Sequence, residues 1–158
     1  MPQFVLKNIY HAHVTSTINY CNIIWSNTYP THLDPLVKSQ KRIIRLISHS
    51  DFLAHTLPLF KELKLLNIEN FRKYSLALYF YKNLNSLLPN LQARHAYQTR
   101  FRDRPRPAAH HRTIYERSFT YQAPIVWNEL INSGSTFIND TIKLSTFKRH
   151  MKHYLLSR

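Results

Sequence analysis

Apolar residues between Phe4 and Trp25 return every three or four positions: Phe4, Val5, Leu6, Ile9, Tyr10, Val14, Ile18, Cys21, Ile24 and Trp25. That is the period of a helix, so the stretch predicts one helix or two broken ones. "SNTYP" ends it, because Pro30 disfavours helical geometry at Tyr29.

"THLDPLVKSQKRIIRLISHS" carries the clearest helical pattern. Leu33, Leu36, Val37, Ile43, Ile44 and Ile47 form one apolar stripe. Lys38, Lys41, Arg42 and Arg45 fall at i, i+3, i+4 and i+7 and share another face. Thr31 is placed to cap the helix, and Pro35 then lies in the first turn, where proline is tolerated.

"HTLPLFKELKLLNIENF" reads as a short helix followed by Asn67, a good cap for the next one. That next helix is expected to run from Ile68 to Leu87 and to stop before Pro89. Order resumes in "RTIYERSFTYQAPIVWNELI" with a helix near residues 122–131. In "TFINDTIKLSTFKRHMKHYLL", Ser145 or Thr146 can cap a last helix. Phe147, Met151, Tyr154 and Leu155 would face inward there, and Lys148, Arg149 and Lys152 outward.

One stretch obeys neither period. "RHAYQTRFRDRPRPAAHHR", residues 94–112, has Arg100, Arg102, Arg104 and Arg106 at alternate positions, with two prolines and few apolar anchors. It reads as an extended loop. In an extended chain, alternate side chains point the same way at intervals of about 6.6 Å. The four arginines would then form a comb, continued by Arg112, and their forked guanidinium groups suit phosphate. Tyr97 and Phe101 could stack on unpaired bases. If Pro105 and Pro107 impose a polyproline helix, the comb splays in three directions.

Composition sharpens this picture. There is one glycine, Gly134, among 158 residues, where average usage of about 7% would give roughly eleven. Phosphate loops and dinucleotide loops need glycine for close backbone approach, so neither is present. Tight hairpin turns lean on glycine too, which points to helices. The 44% of hydrophobic residues suffices for a core.

Lys and Arg number 22 against 8 Asp and Glu, a formal net charge of +14. Such a balance argues for an anionic partner, nucleic acid first and a membrane surface second. The three basic patches are the Lys38/Lys41/Arg42/Arg45 face, the arginine stretch, and Lys148/Arg149/Lys152. The longest uninterrupted apolar run is Leu76 to Tyr81, too short to span a bilayer. Cys21 is the one cysteine and its apolar neighbours suggest a buried thiol. An intracellular location is expected, and within the cell the nucleus.

Catalytic chemistry finds little support. The acids are Asp34, Asp51, Glu62, Glu69, Asp103, Glu116, Glu129 and Asp140, with no two within six residues of each other. Metal-dependent polymerases and nucleases gather carboxylates around their ions. The close histidine pairs, His11/His13, His110/His111 and His150/His153, lack the i, i+4 spacing of a zinc helix. Neither a catalytic residue, a metal site nor a cofactor is expected.

Several strings resemble the region after the catalytic palm in the reverse transcriptases of non-LTR retrotransposons, the jockey-like elements in particular. "YCNIIWSNTYPTHLDPLVKSQKRIIRLI" is similar to that family's Tyr-Cys-x-x-x-Trp segment and the Leu-x-x-Leu-x-x-x-Gln-Lys-x-x-Ile-Arg helix that follows it. "HTLPLFKELKLLNI" resembles its His-Thr-x-Pro-Leu-Phe stretch. "YQTR" resembles its Tyr-Asn-Thr-Arg motif, with Gln98 in place of asparagine. "SFTYQAPIVWNEL" resembles Ser-x-x-Tyr-x-Gly-Pro-x-x-Trp-Asn-x-Leu, with Ala123 in the glycine place. "STFKRHMKHYLL" is similar to its closing Phe-Lys-x-x-Leu-Lys-x-Tyr-Leu-Leu helix. The strings keep the family's order along nearly the whole chain.

The resemblance implies a thumb and a following nucleic-acid-binding region, detached from palm and fingers. The family's Tyr-x-Asp-Asp metal motif is absent, which implies that the chain does not polymerise alone. The expected architecture is all-α: an irregular helical domain of about five to seven helices with a long arginine-rich loop. Residues 1–90 would form a thumb-like helical region, 91–113 the basic loop, and 114–158 a helical region packed on the first. The expected partners are the RNA or DNA backbone and the missing part of the polymerase, with no membrane. A protein-interaction scaffold, an independent nucleic-acid-binding protein and a functionless element relic stand as the alternative readings.

Overall fold

A computed structural model describes residues 1–84, 104, 106–107, 112–132 and 143–157. All regular structure among these residues is helical, and the fold is all-α. The chain forms two compact units, Met1–Arg72 with Lys152–Arg158, and Lys73–Met151.

In the first unit, α1 (Gln3–Ile9) passes through a π-helical turn (Tyr10–Thr15) into α2 (Ser16–Asn19). In an unbroken α-helix Tyr10 and Ile18 would point about 80° apart. The wider π turn absorbs part of that rotation, and both side chains are buried. Cys21 then takes a left-handed φ of 49° before α3 (Asn22–Trp25). Trp25 Nε1 donates to the Tyr20 carbonyl at 2.7 Å and ties the corner. Cys21 is exposed, against the expectation from its neighbours. It occupies the corner between two helices rather than an inward position on either.

Helix α4 (Pro30–Ile47) starts before Thr31, so Thr31 is not its cap. Tyr29 holds the cap position in extended conformation, the geometry a residue before proline prefers. Pro30 loses nothing as the first helical residue. Pro35 therefore lies inside the helix, beyond the first turn, and forgoes the bond its N–H would make to the Thr31 carbonyl.

The buried row of α4 holds Gln40, Ile44 and Ile47, while Leu36 is exposed. Gln40 is only 3% exposed. Its Nε2 donates to the Tyr10 hydroxyl at 2.8 Å and to the Leu66 carbonyl at 3.0 Å. Its Oε1 accepts from the Ile68 N–H at 3.1 Å. One amide thus joins α4, the π turn and the chain entering the helix that begins at Ile68. Tyr10 also belongs to the hydrophobic core, with Ile44, Ile47, Phe60, Leu63 and Leu65. Burial raises the pKa of the Tyr10 hydroxyl, and the Gln40 hydrogen bond opposes that rise.

Two helices end on left-handed residues that are not glycine. His49, φ 52°, follows α4 with Ser50 N–H bonded to Arg45 O and His49 N–H to Leu46 O. Lys64, φ 55°, ends α5 (Thr56–Leu63) with Leu65 N–H on Phe60 O and Lys64 N–H on Lys61 O. Both are the paired-bond motif that usually takes glycine. Asn67 caps α6 (Ile68–Lys82) as expected, its Oδ1 accepting from Asn70 N–H at 2.7 Å. That helix ends at Lys82, short of Leu87: Asn83 is in a turn, its side chain donating to the Tyr79 carbonyl at 2.9 Å. Leu87 and Pro89 lie outside the described residues.

The second unit takes the later part of α6, then α7 (Thr113–Glu116), α8 (Phe119–Asn132) and the start of α9 (Leu144–Ser157). Helix α8 begins earlier than expected because Ser118 accepts there, its Oγ from Tyr121 N–H at 3.3 Å and its carbonyl from Gln122 N–H at 3.0 Å. Ala123 and Pro124 are buried inside α8. Ala123 has no positive φ, so this place in the helix does not require glycine.

Aromatic rings fill the core of this unit. Phe80 lies 5.0 Å from Trp127, and Tyr81 stacks on Phe147 at 4.2 Å with the rings 10° apart. Trp127 and Phe147 are 6.0 Å apart, and Tyr79 meets Phe119 edge-on at 5.1 Å. Leu76, Ala77, Val126 and Leu130 fill the gaps. Lys73 pairs with Glu129 at 3.0 Å and joins α6 to α8.

Helix α9 begins at Leu144, so Ser145 and Thr146 lie within its first turn rather than capping it. Phe147, Met151 and Leu155 are buried and Tyr154 is half-buried, the inward face the spacing predicts. The end of α9 belongs to the first unit. There Asn70 Nδ2 donates to Leu155 O at 2.9 Å and Lys61 Nζ to Ser157 O at 3.2 Å. A cation at the last carbonyls of a helix is favourably placed against its dipole.

Candidate nucleic-acid interface

The outer face of α4 presents Lys38, Lys41 and Arg42 to solvent. The cause is local: Gln40, Ile44 and Ile47 take the inward row, and at about 100° per residue Lys38 and Arg42 fall on the opposite side of the helix with Lys41 on its flank. Among the described residues, no carboxylate lies within ion-pair distance of these three. Arg45 behaves differently. It is half-buried, its Nε donates to the Ala54 carbonyl at 3.0 Å, and its guanidinium carbon lies 6.0 Å from the Phe52 ring centre.

The segment that receives Arg45 is pinned. Asp51 Oδ1 accepts from Phe52 N–H at 2.7 Å, and the Asp51 carbonyl from Ala54 N–H at 3.0 Å. It nevertheless presents its apolar side chains outward. Phe52 is 68% exposed and Leu53 81%, with Leu46 of α4 at 71%. Sequence reasoning passed over Phe52 and Leu53, because a short segment between helices has no period to read. The one signal was a pair of large apolar residues after Asp51 in a stretch otherwise polar.

On α9, Lys148, Arg149 and Lys152 are all exposed. In the first unit Lys152 stands near His11 and Lys7. The pKa of His11 is lowered, first by partial burial and then by the charges of Lys152 and Lys7. His11 Nδ1 and Thr15 Oγ1 are hydrogen-bonded at 3.3 Å. Lys7 and His11 are additions to the predicted basic set. Their i, i+4 spacing was visible in the sequence, but the proximity of Lys152 was not.

Of the arginine stretch, Tyr97, Arg100, Phe101 and Arg102 lie outside the described residues. Arg104 is half-buried and its Nη1 donates to the Asn132 side-chain oxygen at the end of α8. Arg106 and Arg112 are exposed.

Among the described residues no three His, Cys, Asp or Glu side chains gather as a metal site. No helix among them is long and apolar enough to cross a membrane. The arrangement can do one thing well, which is to present positive charge to a polyanion. Comparison with protein-family models, curated proteins and solved structures returns no match.

Proposed function

We propose that the chain is the nucleic-acid-binding, post-palm segment of an RNA-directed DNA polymerase from a non-LTR retrotransposon. It grips the template–primer backbone and carries none of the catalytic aspartates, which belong to the palm of the parent enzyme. It works in the nucleus, where such an enzyme meets its DNA target.

The observation that carries this reading is the α4 face: Lys38, Lys41 and Arg42 are exposed, and among the described residues no carboxylate lies within ion-pair distance of them. The net charge of +14 supports it, as do the ordered motifs that resemble the retrotransposon family. Arg106, Arg112, Lys148, Arg149 and Lys152 add exposed cations to the same purpose.

Phosphate binding releases counterions, so affinity must fall as salt rises, by about 0.7–0.9 log units per log unit of salt for each phosphate neutralised. Fluorescence anisotropy with labelled oligonucleotides over a salt series measures the slope. Replacing Lys38, Lys41 and Arg42 together by glutamine is expected to lower that slope by roughly two to three units. An affinity indifferent to salt would sink the reading.

Exposed Leu53 and Ile24, at 81% and 72%, favour a second reading, a scaffold that docks on the missing palm. Co-expression with a palm that improves solubility without any oligonucleotide affinity would select it.

A further inference from the structure

The exposed aromatic ring beside the basic face of α4 calls for a ligand with both negative charge and flat apolar surface. We propose that Phe52, buttressed by Arg45, is a stacking platform for an unpaired base of a single strand whose backbone runs along Lys38, Lys41 and Arg42. This rests on the nucleic-acid reading above and adds which form of nucleic acid the site takes.

Three features converge. The first is the ring's presentation. Phe52 is 68% exposed although it sits on a segment pinned by Asp51 and Ala54. A pinned segment gives up little conformational freedom when a ligand lands on it. The second is Arg45. Its Nε bond to Ala54 at 3.0 Å holds the guanidinium 6.0 Å from the ring centre. The cation braces the ring and places a positive charge beside any phosphate that follows the base. The third is the approach. Lys38 and Arg42 succeed one another on α4 at about 6 Å along the axis, and Arg45 comes roughly one turn later. A strand laid along that face meets a cation at each step and ends over the ring.

Inside a duplex this ring finds no free base face, because the bases are already stacked on each other. Single strands splay their bases onto aromatic side chains, and such contacts tolerate any base because each has a π-face. Exposed Leu53, next to Phe52 in the chain, adds apolar surface at the site. An anionic lipid surface shares the charge requirement but gains nothing specific from a flat ring, which separates the two by experiment.

The test compares oligo(dT) with a blunt duplex of equal length by fluorescence anisotropy, using the full chain. Phe52→Ala is expected to weaken oligo(dT) binding about tenfold, with duplex affinity changed less than twofold. Phe52→Trp should hold oligo(dT) at least as tightly as the parent chain, and Phe52→Leu should behave like the alanine variant. The ring is mostly in solvent, so the variants should keep the parent's far-UV circular dichroism. Equal losses on both oligonucleotides, or none on either, overturn the stacking platform while leaving salt-dependent binding intact. A Phe52→Leu variant as tight as the parent overturns it too, since leucine cannot stack. Loss of binding to phosphatidylserine vesicles, with oligo(dT) affinity unchanged, overturns it in favour of a membrane surface. A parent chain with no affinity for either oligonucleotide removes this inference and the proposed function together.

Discussion

A glutamine stands at the centre of the first unit and a set of rings at the centre of the second. In the first unit the core residues are mostly aliphatic, and aliphatic contacts have no preferred direction. Helices packed by such contacts alone can slide and rotate. Gln40 supplies the missing direction, because its three hydrogen bonds to Tyr10, Leu66 and Ile68 are satisfied in only one register. In the second unit the rings do that work. Phe80, Tyr81, Trp127 and Phe147 meet in tilted and stacked arrangements, and flat rings packed this closely admit few relative orientations. Two compact units of one chain thus define their packing by different physics, one by a buried amide and one by ring geometry.

The strongest test of that contrast is Trp127→Ala, which removes a ring that touches Phe80, Tyr81 and Phe147. The expected cost is about 3–5 kcal/mol, read from urea unfolding. Trp127→Phe should cost clearly less, because a ring remains. A Trp127→Ala cost under about 1 kcal/mol would mean that this ring contributes little to the packing of the unit.

Gln40→Ala comes next. It strands the Ile68 N–H and the Leu66 carbonyl, and each buried orphan costs about 1–3 kcal/mol. Gln40→Leu keeps the bulk and loses the bonds, so it should be nearly as damaging as alanine. If leucine there is as stable as glutamine, the amide is dispensable and the contrast between the units disappears.

The remaining two effects are smaller, and both belong to the first unit. Lys64→Gly should stabilise the protein by about 1 kcal/mol, because glycine adopts the left-handed geometry without the side-chain penalty of lysine. A thermal melt that moves down instead of up would show that Lys64 repays its strain through contacts of its side chain.

The smallest effect concerns pH. His11 has its pKa below the ordinary imidazole value of 6.5 in the folded chain. The unfolded chain therefore binds the proton at higher pH than the folded one. The stability linked to His11 is complete above about pH 6.5 and is lost as pH falls through the folded pKa. An NMR titration of the His11 ring should show the lowered midpoint, and Lys152→Gln should move it up toward the ordinary value. No movement would mean that partial burial and the charge of Lys7 depress it without Lys152.

Much of the helical layout was readable from residue order. The three-to-four spacing places α4, α6 and α9, Asn67 is visible as a cap, and the inward face of α9 through Phe147, Met151 and Leu155 follows from spacing alone. Helix boundaries were less legible. Thr31 and Ser145 look like caps, yet Pro30 and Leu144 already lie in the helices, because extended Tyr29 makes the entry to α4 and α9 starts before its serine.

Burial and partnership were not legible, and the reason is that periodicity describes one helix while burial depends on which others arrive. Gln40 sits in an apolar row where a polar residue reads as surface. Only the arrival of Tyr10, Leu66 and Ile68 makes it an interior residue with its bonds made. Lys152 lies near Lys7 and His11 across almost the full length of the sequence. Phe52 lies between helices with no period to place it, and the turn held by Asp51 leaves it in solvent. Residue order decides where backbone hydrogen bonds close locally into helices, while the meeting of those helices decides which side chains lose water and which keep it.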